Sequence, residues 1–296
     1  MQGVGEFGAV AANAHKVPAV DGYDLAATVT QPQDGATDWV IVSGALGVAA
    51  RFYSRYATAL AEAGFAAVTY DYRGIGASRP ASLRGFPATI TDWAVLDMAG
   101  VATWVHSAHA PRRLFMVGHS LGGILPGLVD CPDLIDALVT VGSENVYWRY
   151  RHGGTKAVAL SRVWLTPPFT AVIGYLPWSW FARAEDLPAG AARQMTAAVR
   201  TPGGLLDDAA LPTQRYATFR APVLAYSIDD DPEATKESVD AMMAAYPVVE
   251  RRHLAPADIG LDQVGHFGYF KASAQPFWGE AISWLRQQPH RATPGT

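Results

Sequence analysis

Short apolar runs alternate along the chain with stretches in which apolar residues recur every three or four positions. The runs predict strands at Asp38 to Ser43, Phe65 to Tyr70, the segment opening at Arg113, Ala137 to Val141, Pro222 to Ile228 and Val248 to Leu254. The longer spacing predicts helices at Phe52 to Ala63, Thr91 to His106, Thr235 to Tyr246 and Pro276 to Gln287. Strands that are apolar at consecutive positions bury both faces, so the expectation is a mainly parallel sheet with helices on each side. Before it, His15 to Pro32 carries Asp21-Gly22, a tight-turn signal between two short strands, which predicts an antiparallel hairpin leading into the sheet.

From Asn145 to Arg220 the alternation stops. The stretch has no clean strand and is rich in aromatics and proline, including Trp148, Trp164, Phe169, Trp178, Trp180 and Phe181. It predicts a helical insertion over the carboxyl ends of the strands, where ligands bind in open α/β sheets. The expected division is an α/β core at 15–144 and 221–288, a helical cap at 145–220 and a loose tail at 289–296. Two roles stay open for the cap aromatics: lining an apolar substrate pocket, or packing into a small core of their own.

Composition narrows the classes. Half of the 296 residues are hydrophobic, 17% are charged and the net charge is −4. With no basic stripe, nucleic acid is not expected as a partner. The single cysteine, Cys131, excludes an internal disulfide framework and fits a reducing compartment; it reads as a buried spectator. No apolar run has the length of a membrane span, and Met1 to Lys16 lacks the basic region of a secretory signal. The expectation is a soluble cytoplasmic protein, with its oligomeric state left open.

The chemistry is concentrated at Gly118-His119-Ser120-Leu121-Gly122-Gly123, which follows an apolar run and precedes a small-residue helix. A sharp strand-to-helix turn presents a serine away from the sheet, and glycines on either side let strand and helix pass closely. Serine needs a base, and the base needs an acid to orient it. On this architecture the chain order is serine, acid, histidine. Asp229-Asp230-Asp231 follows the strand ending at Ile228, and Asp231 is the first choice of acid, ahead of Asp230 and then Glu144. Gly265-His266-Phe267-Gly268 lies between the last strand and the last helix, which makes His266 the base; His119 reads as packing or tuning the elbow, and His253 as structural. An oxyanion requires two N–H donors. The expected ones are the amide of Leu121 and that of Ala45 or Leu46, after the strand Asp38 to Ser43.

These residues resemble the α/β-hydrolase superfamily from about Val20 to Gln287. The likeness rests on the elbow, on Asp71-Tyr72-Arg73-Gly74-Ile75-Gly76-Ala77-Ser78, on the aspartate triplet and on Gly265-His266. The chain is similar to bacterial serine hydrolases related to monoacylglycerol lipases and serine aminopeptidases. That resemblance implies a doubly wound, mostly parallel eight-stranded sheet, a cap inserted after strand six, and an acyl-enzyme mechanism without cofactor. One departure is Ser43-Gly44, where many members carry His-Gly.

No metal-ligand spacing and no glycine-rich nucleotide motif is present. The expected reaction is cleavage of a carboxylic ester of a small, largely apolar substrate. A peptidase, amidase or thioesterase on the same triad is the alternative; a peptidase could use Glu185 or Asp186 to hold a substrate amine, although a solvated turn explains them equally well. A lyase or acyltransferase remains open, and so does a non-catalytic ligand-binding protein of the same fold.

Overall fold

A computed structural model describes residues 9–290. In chain order its strands are β1 (Val10–Pro18), β2 (Asp24–Pro32), β3 (Asp38–Ser43), β4 (Ala66–Tyr70), β5 (Arg113–His119) and β6 (Ala137–Val141). The two-residue strands β7 (Tyr175–Leu176) and β8 (Leu187–Pro188) pair with each other, and β9 (Val223–Ile228) and β10 (Val249–Leu254) complete the main sheet. The order is β1-β2-β4-β3-β5-β6-β9-β10. The β1–β2 and β2–β4 pairs are antiparallel and the rest parallel. The loose tail expected at 289–296 lies beyond the described residues from 291 onward.

Side chains that alternate along a strand divide the core into two layers. Trp39 and Ile41 of β3, with Leu114 and Met116 of β5, face one layer, which includes Trp93, Val101, Val239 and Met242. Val40, Val42, Phe115 and Val117 face the other, with Tyr56 and Leu60 of the helix Ser54–Glu62 and Trp278 and Leu285 of the helix Gln275–Gln287. This explains why β3 to β6 and β9 read as unbroken apolar runs: each is buried throughout.

The topology places the site. From β3 the chain steps to β4 on one side, then crosses to β5 on the other. The loops leaving β3 and β5 therefore diverge and open a crevice at the carboxyl edge. Residues between β6 and β9 form helices Gly153–Val172 and Ala189–Arg200 together with the β7–β8 pair, which the sequence did not predict. The first strand begins at Val10, ahead of the expected start at 15. Among the described residues no helix is long and apolar enough to cross a membrane.

One buried charge cluster braces the sheet. A helix over 90–109 widens by one residue per turn at Trp93–Met98 and places Asp97, fully buried, against the loop after β4. Arg73 donates to Asp97 from its backbone N–H at 2.8 Å and from Nε at 2.6 Å, and to both oxygens of Asp21 at 2.8 Å. The β1–β2 turn, the β4 loop and the helix are tied at one guanidinium. Removing only one partner strands a buried charge. Arg73→Met is expected to cost about 3–5 kcal/mol in urea unfolding; a loss under about 1 kcal/mol would match a surface pair and contradict the bracing role.

Candidate active site

Ser120 sits between the end of β5 and the helix Leu121–Ile124 with φ 52° and ψ −118°. A non-glycine residue there carries strain of about 1–3 kcal/mol, which persists only where the surroundings enforce it. Here the enforcement is steric. A Cβ on Gly118 would lie 2.3 Å from the Cα of Gly123, and one on Gly122 would lie 2.1 Å from the Ser43 carbonyl oxygen. The Ser120 N–H donates to the Val141 carbonyl of the neighbouring strand at 2.9 Å.

The aspartate triplet divides its work. Asp231 Oδ2 lies 2.7 Å from His266 Nδ1, while its Oδ1 accepts the N–H groups of Glu233 at 2.8 Å and Ala234 at 2.9 Å. Asp230 accepts the N–H groups of Val264 at 2.9 Å and Gly265 at 2.8 Å, so it holds the histidine loop rather than the ring. Asp229 lies outside, 3.3 Å from His253. Glu144, the other alternative acid, is on the serine side: Ser120 Oγ donates to its Oε2 at 3.4 Å. Arg151 bridges Glu144 at 3.3 Å and Glu233 at 3.0 Å. Among the described residues the Ser120 hydroxyl makes no bond to His266.

Burial alone would push the His266 imidazole down, but Asp231, then Glu233 and Glu144, outweigh it and raise the pKa to about 9. Burial acts to raise Asp231, and the His266 charge with the hydrogen bonds from His266, Ala234 and Glu233 holds it below the usual carboxylate range. Burial raises Glu144.

A relay behind the serine connects the loop after β3 to the base. The Ala45 N–H donates to the Tyr53 hydroxyl at 2.8 Å, Tyr53 lies 2.8 Å from His119 Nδ1, and His119 Nε2 lies 2.9 Å from the His266 carbonyl oxygen. A carbonyl only accepts, so Nε2 carries the proton, Nδ1 accepts from Tyr53, and the Tyr53 oxygen accepts from Ala45. Burial, aided by the charge of His266, holds the His119 pKa at about 3, so the ring stays neutral. Of the two amides expected to complete an oxyanion hole with Leu121, that of Ala45 is therefore already engaged. The amides of Leu46 and Leu121 donate to no group among the described residues. Asp230, ranked in the sequence as an alternative acid, holds the histidine loop instead, and Tyr53, Arg151 and Glu233 escaped the sequence reading. Only Tyr53 had a signal, in Arg51-Phe52-Tyr53 after the β3 loop.

Ser120 and His266 open into one cavity of about 560 Å³, walled by Leu46, Val163, Trp178 and Met195 among others. Of the cap aromatics Trp178 lines it, whereas Trp164, Trp180 and Phe181 are exposed. Phe169 packs against Trp180 and Phe181. Glu185 and Asp186 do not line the cavity. They pair with Arg51 at 3.0 Å and Arg79 at 3.1 Å and fasten the insertion to the core rather than facing the cavity. Cys131 is half-buried, and burial lifts its thiol to about 11.

The sheet order, the strained serine at the crevice and the helical insertion over it are those of the α/β-hydrolase fold, and that is the fold of this chain. The serine aminopeptidase S33 family matches residues 36–170. A Variovorax paradoxus protein that bears the name carbamate hydrolase RutD is 37% identical over 115 residues; the match covers 38% of this chain and 40% of that protein's length. Among solved structures, esterase Pf2001 of Pyrococcus furiosus superposes with a TM-score of 0.61 at 16% identity, covering 94% of this chain and 91% of its own. A hydrolase of Pseudomonas aeruginosa superposes with a TM-score of 0.59 at 19% identity, covering 92% and 98%.

Two outcomes are expected. Tyr53→Phe leaves a buried amide and a buried ring nitrogen unpaired and should cost about 1–3 kcal/mol in urea unfolding; an unchanged midpoint would show that the relay bears no strain. In the second, the His266 ring, titrated by NMR, should lose its proton near pH 9, and Asp231→Asn should bring that midpoint below the ordinary value of 6.5. The raised histidine stabilises the fold fully below 6.5 and that contribution disappears as pH rises through about 9. A midpoint at or below 6.5 in the native chain would contradict the charge balance described.

Proposed function

We propose that the protein is a serine hydrolase that cleaves the carboxylic ester of a small, largely apolar substrate through an acyl-enzyme. The observation that carries the reading is the strained Ser120 opening into the same cavity as a His266 whose Nδ1 is held by Asp231. Ser120 Oγ turns from Glu144 to His266, gives up its proton and attacks the carbonyl carbon. The tetrahedral oxyanion is met by the amides of Leu121 and Leu46, dipoles already in place before charge develops. His266 then protonates the departing alkoxide. Water, deprotonated by the same ring, attacks the acyl-enzyme and frees the acid and the serine.

The apolar cavity wall supports an ester with a hydrophobic body. The likeness to a protein named as a carbamate hydrolase favours a second reading, cleavage at a carbamate or amide C–N bond by the same groups.

A panel of matched hexanoyl ester, thioester, anilide and phenyl carbamate, assayed on the native chain and on Ser120→Ala, tests both. The ester should be turned over, and Ser120→Ala should lower kcat by at least about 10³-fold. Because the base must be neutral, kcat/KM should climb with pH towards about 9 rather than level off above 6.5. Turnover of the carbamate or anilide without the ester would establish the second reading. Ester turnover that survives Ser120→Ala would contradict both.

A further inference from the structure

The cavity carries a charge that the chemistry at Ser120 does not use. Four cations, Arg151, Arg162, Arg183 and Lys271, line it against two acids, Glu144 and Glu233, in a chain whose net charge is −4. Arg151 is committed to both acids. Arg162, on the inner face of the helix Gly153–Val172, has no hydrogen bond and no carboxylate partner among the described residues, and its guanidinium lies 4.3 Å from the Trp178 ring centre. Glu233 acts on it only at longer range, opposed by Arg151, and burial in the wall lowers its pKa. Arg162 is half-buried, and stacking on an indole leaves its N–H donors without a protein acceptor.

A second group beside it is also unsatisfied. Thr166, four residues on and so on the same helical face, lines the cavity, and its hydroxyl is buried without a hydrogen-bond partner. Threonines in helices ordinarily donate back to a carbonyl of the preceding turn. Thr170 does so to Thr166 at 2.9 Å and Thr196 to Ala192 at 2.8 Å, but Thr166 does not. That hydroxyl is sealed inside the helix packing, so of the two groups only the Arg162 guanidinium faces the apolar space that holds the serine.

Resting on the serine-hydrolase reading, we propose that Arg162 binds a carboxylate at the end of the substrate remote from the scissile bond, so that the preferred substrate is an acidic ester with a short apolar body. A carboxylate satisfies this group in geometry and in charge: its oxygen pair accepts two of the guanidinium donors. Trp178 holds the guanidinium plane in place from its other side. Arg183 and Lys271, more exposed, add to the positive field at the cavity wall.

The test compares charged and neutral esters of equal length: mono-4-nitrophenyl adipate against 4-nitrophenyl hexanoate, with the charge on the acyl side, and 4-carboxyphenyl hexanoate against phenyl hexanoate, with the charge on the alcohol side. In one of the two pairs the native chain should favour the acidic ester in kcat/KM. Arg162→Met should reduce that charged-to-neutral ratio roughly ten- to a hundredfold, through KM more than kcat, and Arg162→Lys should recover part of it. Thr166→Val, which alters a hydroxyl sealed from the cavity, should leave the ratio in place. Turnover of the neutral esters with no preference in either pair, or a ratio that Arg162→Met leaves unmoved, would overturn the carboxylate site while leaving the hydrolase reading in place. Absence of turnover of all four esters would overturn both.

Discussion

The backbone at Ser120 is held where an ordinary residue does not rest, and the site depends on that constraint. Two chain segments pass so closely that Gly118 and Gly122 leave no room for a methyl group, and the Ser120 amide is fastened to β6. The turn thereby brings Ser120 and Leu121 into the wall of one cavity, with the Leu121 amide donating to no group among the described residues. The crevice that receives them follows from strand order, since the loops after β3 and β5 leave on opposite sides. Fold and chemistry meet at a handful of atoms that cannot relax independently.

Around this turn the structure separates orientation from charge. Asp230 holds the backbone of the histidine loop, Asp231 holds the ring, and His119 holds the His266 carbonyl from behind. His119 can do this because burial keeps it neutral; a charged ring would repel His266. Glu144 and Glu233 add negative charge near the base and are balanced by one guanidinium, Arg151. The resulting His266 favours its proton; in the proposed mechanism that suits donation to a leaving group and moves attack by serine to alkaline conditions.

Much of the architecture was legible in the sequence because it rests on local constraints. The apolar runs marked the inner strands, and the need for small residues marked the elbow. Serine, acid and base could be ordered along the chain before any contact was known. Asp229, Asp230 and Asp231 could only be ranked, since all three leave the same strand and the orientation of each carboxylate alone distinguishes them. The same holds for Ala45 and Leu46, whose difference is a hydrogen bond to Tyr53. The Tyr53–His119 contact spans 66 residues and leaves no periodic trace. Glu185 and Asp186 were left open between amine holders and a solvated turn, because adjacent acids in an insertion look alike whether they face a cavity, solvent or an arginine of the core. Arg162 gave no sign in the sequence, since a missing partner is visible only in three dimensions.

The central claim is that the constrained turn and the oriented histidine together make Ser120, and no other serine, a nucleophile. Reaction with a neutral fluorophosphonate, followed by intact mass and peptide mapping, tests it directly. The account predicts one adduct, on the peptide bearing Ser120, with labelling that slows sharply in His266→Ala. A folded chain that takes no label, or takes it at a serine outside this elbow, would contradict it.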